Sequence, residues 1–141
     1  MSESEGRRIK RSLFIDIKTI RFCTDEMLEH YQELPLLQNF FASEEYITGS
    51  IEGYTNVGIF RNYIEALLKN EPDINQDLTL VVRELQPGEF GLPIEIYCFS
   101  LKKDFVGYEK VQSRVFEHLL AIISQFELKL FQRPTGEDFS K

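Results

Sequence analysis

The chain has 141 residues, 43% of them hydrophobic and 13% aromatic, which suits one domain with an attachment and argues against a largely disordered chain. Its formal net charge of −7 argues against a free-standing nucleic-acid binder, because phosphate contacts need clustered Lys and Arg. The only basic cluster is the lead-in Arg7, Arg8, Lys10 and Arg11.

That cluster runs into RSLFIDI, where Leu13, Ile15 and Ile17 share one face and Phe14 and Asp16 the other. The alternation predicts a half-buried strand over 13–23, with 1–12 as a junction before it. Parity slips at Ile20 and Phe22, so a bulge or a new short strand is expected near Lys18 and Thr19. In TDEMLEHYQEL, Thr24 or Asp25 can cap a short helix striped by Met27, Leu28, Tyr31 and Leu34 and stopped by Pro35. LPLLQNFFASEEYI reads as a second short helix, and TGSIEGYTN as a loop. Phe60, Tyr63, Ile64, Leu67 and Leu68 then fall at helical spacing, with Thr55 or Asn56 as cap and Pro72 beyond the end. LTLVVREL and LPIEIYCFS alternate as strands joined by the hairpin loop QPGEFG. The longest helix is expected over 105–126, striped by Tyr108, Val111, Val115, Leu119, Ile122 and Phe126. LKLFQ reads as a last strand before the polar tail 134–141.

With 24–54 set aside as a mostly helical insertion, the order is β–α–β–β–α–β. Right-handed crossovers turn that order into an α+β, ferredoxin-like sandwich: a four-stranded antiparallel sheet with two helices on one face. Residues 55–133 supply the remainder of this domain. The uncovered sheet face should then carry Phe14, Asp16, Val81, Arg83, Glu95, Tyr97, Phe99, Lys129 and Phe131, with Asp16 able to pair with Lys129. A soluble monomer seldom leaves such an aromatic face wet. The insertion, another subunit or a ligand should cover it.

Signals for catalysis are few. His30 and His118 have no nucleophile or ligand at a recognisable spacing, and HExxH, GxSxG, GxGxxG and P-loop patterns are absent. Cys23 and Cys98 stand alone, which argues against zinc and for a reduced setting. A non-enzymatic chain without cofactor or metal is therefore expected. The same fold in RNA-recognition modules carries a glycine and aromatics on its third strand, whereas LPIEIYCFS lacks the glycine and places Glu95 there. No apolar run approaches the ~18 residues of a membrane span, and MSESEG does not open a signal peptide.

The phrases SESEGRRIKRSLFIDIKTIRF, YTNVGIFRNYIEALLKN, INQDLTLVVRELQPGEFGLPIEIYCF and VFEHLLAIISQFELKLFQRPTGEDF resemble the cytoplasmic carboxy-terminal region of bacterial small-conductance mechanosensitive channels. The likeness is closest to the miniconductance branch and loosest over 24–54. It implies membrane helices and a pore before Met1, then a β-domain and a ferredoxin-like domain on the cytoplasmic side of the inner membrane. It also implies a homo-oligomeric cage of seven subunits with side openings for solutes. In that setting Arg7, Arg8, Lys10 and Arg11 would be subunit-contact or hinge residues, and Phe14, Arg83, Tyr97, Phe99 and Phe131 open-face contacts. The expected function is assembly, solute filtering and gating modulation in a tension-gated channel. A soluble small-molecule-sensing domain of the same fold is the alternative.

Overall fold

The structure, a computed structural model, describes residues 6–43 and 53–133. The junction residues 1–5, part of the insertion (44–52) and the tail 134–141 lie outside the described residues. Strand β1 (Arg7–Ile15) pairs antiparallel with β3 (Leu92–Ser100), in register from Arg7 opposite Ser100 to Ile15 opposite Leu92. Strand β2 (Val81–Glu84) pairs antiparallel with the other edge of β3. The protein is therefore α+β, with a three-stranded antiparallel sheet in the order β1-β3-β2.

The first strand is shifted toward the N-terminus of the 13–23 expected. All four basic residues of the lead-in lie within β1, and the chain leaves it at Asp16 for a 3-10 turn, Ile17–Thr19, in place of a bulge or new strand. Asp16 caps that turn, its carboxylate accepting from the Lys18 N–H, and so it is drawn away from Lys129. What joins those two residues is backbone: the Asp16 N–H donates to the Lys129 carbonyl at 2.8 Å.

The expected last strand is reduced to an isolated bridge between Ile15 and Leu130. Two hydrogen bonds flank it, from Asp16 N–H to Lys129 and from Phe131 N–H to the Phe14 carbonyl, each 2.8 Å. The reason is local. Beyond Ile15 the strand it would follow turns away, and beyond Phe131 the Arg133 guanidinium lies over the Phe90 ring, 5.1 Å from its centroid.

Helices α3 (Asn56–Lys69) and α4 (Phe105–Ile122) supply the other half of the core. Each begins on a side-chain cap, Thr55 accepting from Gly58 N–H and Asp104 from Gly107 N–H. Helix α4 ends four residues before the stripe predicted, passing into a 3-10 turn, Ile123–Phe126, which Glu127 closes in the left-handed region at φ 58°. Ile9, Leu13 and Ile15 of β1, Val82 of β2 and Leu92, Ile94, Ile96 and Cys98 of β3 form one buried cluster with Phe60, Ile64, Val115 and Leu119. Each fully buried side chain of this size contributes roughly 1.5–3 kcal/mol.

Within the insertion, α1 (Asp25–Gln32), a 3-10 turn Pro35–Leu37 and α2 (Gln38–Phe41) are described. These elements do not fold over the open sheet face. Tyr31 stacks on Phe126 at 5.0 Å, and Phe126 in turn meets Phe60 at 5.0 Å and Tyr63 at 5.4 Å. Tyr31 and Leu37 are fully buried there, so this part of the insertion closes one end of the helix-side core.

Asn56 ties these layers together. Fully buried, its amide donates to the carbonyls of Thr19 and Phe126 at 3.0 Å each. Its oxygen accepts from Arg21 N–H at 3.0 Å and Val57 N–H at 2.9 Å. At the opposite side of the hairpin, Gly91 has φ 91°, and a Cβ there would stand 2.2 Å from the Ile15 carbonyl oxygen. Glycine alone fits that approach.

Candidate interaction surface

Side chains alternate across a strand, so the residues that bury Ile9, Leu13 and Ile15 toward the helices turn Arg8, Lys10, Ser12 and Phe14 to the other face. The register sets Arg8 beside Phe99, Lys10 beside Tyr97, Ser12 beside Glu95 and Phe14 beside Pro93. From β2, Val81 stands beside Tyr97 and Arg83 beside Glu95. The open face thus gathers Phe14, Arg83, Tyr97 and Phe99, as expected from parity, and adds Arg8 and Lys10.

Its centre is an ion pair. Glu95, nearly buried, accepts from Arg83 Nε at 3.0 Å, and Arg83 Nη2 lies 3.0 Å from the same oxygen. A depression of about 280 Å³ runs beside it, lined by Thr79, Val81, Arg83, Glu95 and Tyr97. Tyr97 and Phe99 meet edge to face at 5.7 Å. Phe99 is itself buried, with Gly6 and Leu78 packed close to one another beside it, so it supports the face without being offered by it.

The far end of the face is an aromatic row. Phe90, from the β2–β3 loop, meets Phe14 at 6.5 Å and Phe131 at 6.0 Å, both edge to face. Phe14 stays 42% exposed. Phe131 reaches the row from the bridged segment beside β1. Sequence reasoning missed Phe90, because parity does not extend through a loop; the cluster QPGEFG gave only its turn.

The four basic residues divide by parity. Arg7 and Arg11 point to the helix side, where each guanidinium lies 4.1 Å from a ring centroid, Arg7 over Tyr108 and Arg11 over Phe116. The Tyr108 hydroxyl also donates to the Arg8 carbonyl. Arg7 and Arg11 therefore hold α4 against β1 within one chain. Arg8 and Lys10 remain on the open face. An alternating strand has no means of keeping all four on one surface.

Elsewhere, a depression of about 380 Å³ is lined by Arg21, Thr24, Glu26, Met27, His30, Tyr31 and Glu127. The buried Tyr31 hydroxyl has no hydrogen-bond partner among the described residues. Burial, then Cys23 and Glu127, push that hydroxyl above its ordinary range. Burial also pushes the Cys23 thiol up to about 11 and the Cys98 thiol to about 12. His118 Nε2 is 2.6 Å from the Tyr63 hydroxyl and its ring is stacked on that of Tyr63. Among the described residues no group of three His, Cys, Asp or Glu side chains could hold a metal ion, and no helix is long and apolar enough to cross a membrane. No known family model matches the chain.

Proposed function

We propose that the chain is a non-enzymatic assembly, solute-filter and gating-modulation domain from the cytoplasmic side of a tension-gated channel. The reading rests on the likeness of four long phrases, in order, to the carboxy-terminal region of small-conductance mechanosensitive channels. The observation that carries it furthest is the sheet: helices and insertion bury one face, while the other presents Phe14, Val81, Arg83 and Tyr97 with no element of the described chain laid across them. Such a face suits contact between subunits. The segment around Leu130, already bonded at the edge of β1, would be the fourth strand of a ferredoxin-like sandwich once packing against a neighbour extends it.

The test is electrical. The complete gene product, pore included, is reconstituted in liposomes and patches are stretched by suction. Tension-activated currents are expected, and deleting 24–54 should move their threshold or lower assembly. Patches that stay silent at lytic tension would overturn the proposal.

A second reading, a soluble domain that senses a small molecule, is favoured by the depression beside Tyr31 and its unpartnered hydroxyl. A thermal-shift screen separates the two. A ligand at 100 times its Kd raises stability by about 2.7 kcal/mol, and a specific hit abolished by Tyr31→Phe would favour the sensor.

A further inference from the structure

Arg21 and Glu127 come from segments far apart in sequence, and one buried side chain fixes the backbone of both. The Asn56 oxygen accepts from the Arg21 N–H at 3.0 Å, and its amide donates to the Glu127 carbonyl at 3.4 Å. The Glu127 N–H donates in turn to the Ser124 carbonyl at 3.1 Å, so its left-handed backbone is held from both sides. Glycine is the ordinary residue for that conformation, yet a carboxylate stands there. The two side chains approach at 3.9 Å while 58% and 52% exposed, and neither has a further partner among the described residues. Such a long, wet pair is weak and leaves most of its donors and acceptors unused.

The pair borders the depression of about 380 Å³ that lies against α1. Glu26 and His30 of α1 line it as well, so its wall holds one fixed positive charge, two negative charges and a histidine. Lys18, Asp25, Glu29 and Lys129 belong to the surrounding surface and do not line it. Tyr31 forms the inner wall, fully buried, its ring stacked on Phe126 and its hydroxyl without a partner among the described residues. The charges of Arg21 and Glu127 both act on that hydroxyl, so its oxygen lies on the side of the depression they border. Burial keeps it protonated, able both to donate and to accept. A buried polar group in this state costs free energy until something bonds to it.

The mixture of charges decides what fits. An anion drawn to Arg21 would face Glu26 and Glu127, and a cation drawn to those carboxylates would face Arg21. A molecule carrying both charges side by side replaces the Arg21–Glu127 contact with two of its own and leaves neither group unpaired. We propose that this depression binds a free α-amino acid, its ammonium held by Glu127 and Glu26 and its carboxylate by Arg21 and the Tyr31 hydroxyl. The ligand would part the 3.9 Å pair and reach the hydroxyl behind it. This assignment rests on the reading of the chain as a small-molecule sensor and names the class of molecule sensed. It is independent of any tension-gated current.

The test is thermal unfolding of the full chain with the common L-α-amino acids, each at rising millimolar concentration. The matching amines and carboxylic acids, each lacking one of the two charges, are screened beside them. At least one amino acid should raise the melting temperature in a saturable way, and neither of its analogues should do so at the same concentration. Arg21→Gln and Glu127→Gln should each weaken binding about 10-fold or more, since each removes a charged hydrogen bond. Tyr31→Phe should weaken it roughly 5-fold without lowering the melting temperature of the ligand-free chain, because it deletes an unsatisfied hydroxyl. Lys18→Gln, outside the lining, should bind as the parent does, and ligand-free melts check that every variant folds. If an amine or an acid binds as well as the amino acids do, and Tyr31→Phe weakens it, the amino-acid assignment is overturned while the sensing reading stands. If no probe binds, both fall. A hit untouched by all three lining variants lies elsewhere and overturns the proposal. So does a ligand-free Tyr31→Phe that melts well below the parent, which would show the hydroxyl already bonded.

Discussion

Replacing Asn56 by alanine should cost far more than a polar residue at a helix start would suggest. Five backbone groups lose a partner: the carbonyls of Thr19, Phe126 and, at 3.4 Å, Glu127, and the N–H groups of Arg21 and Val57. Thr19 and Arg21 lie where water can replace the lost amide. Phe126 and Val57 are buried, and each group left unsatisfied there costs roughly 1–3 kcal/mol. The expected loss is therefore about 2–5 kcal/mol. With a urea slope of about 1–3 kcal/mol per M, the unfolding midpoint should fall by ~1–2 M with the slope unchanged. Asn56→Asp sharpens the test, since it keeps the acceptor but loses both donors and sets a carboxylate against the carbonyls of Thr19, Phe126 and Glu127. Burial and repulsion would hold that carboxyl above the usual ~3.9, so its protonated form is the one favoured by folding. The penalty is full at neutral pH and shrinks as pH falls through the raised folded value. Urea melts at neutral and mildly acidic pH measure both effects. A loss below ~1 kcal/mol for Asn56→Ala, or an Asn56→Asp penalty independent of pH, would refute the reasoning.

Phe60→Ala and Leu119→Ala, both fully buried, should each lose roughly 2–5 kcal/mol in chemical denaturation, whereas exposed Phe105→Ala should stay within about 0.5 kcal/mol. Losses much below 1 kcal/mol at both core sites would mean that the helix faces are misassigned. Removing Arg7 and Arg11 together should cost about 1–2 kcal/mol through the lost ring contacts, and removing Arg8 and Lys10 together less than about 0.5 kcal/mol. Equal costs for the two pairs would sink the division of the basic run by parity. Titration with a thiol reagent near pH 8 should find Cys23 about 100-fold slower than a free thiol, because its pKa near 11 leaves about a hundredth of the thiolate. Cys98, near 12 and fully buried, should react only as the chain unfolds, and the Cys23 rate should climb as pH rises toward 11. Fast labelling of either at pH 8 would contradict the burial assigned to them.

Much of the architecture was legible where burial has a single period. LPIEIYCFS, with every second residue apolar on the helix side, is a strand over the whole span predicted, and the stripe from Phe60 to Leu68 marks a helix that starts after its expected Thr55 cap and ends before Pro72. The open-face residues Phe14, Arg83, Tyr97 and Phe99 followed from the same parity. The beginning of β1 did not, because Arg7 and Arg11 occupy inward positions as charges. Their stems and guanidinium planes lie over rings brought from α4, a hundred or so residues away in sequence, and no local pattern reveals that. The 128–132 segment failed for a different reason. Its composition suits a strand, but a strand needs a neighbour that continues alongside it, and β1 turns away at Asp16. Of the two caps the sequence offered, Thr55 takes that role; the buried tie made by Asn56 depends on three chain segments meeting at one amide, which no local pattern reveals.

The way β1 enters the sheet has a mechanical consequence. Arg7 is the first rung of a ladder that runs, unbroken, along all nine residues against β3. A pull on Gly6 along the strand axis would load those rungs in shear, all at once, whereas a sideways pull would peel them one by one from the Ser100 end. Force arriving through the N-terminus is thus resisted most strongly in one direction, and β3, gripped on both edges, would receive and spread it through the sheet.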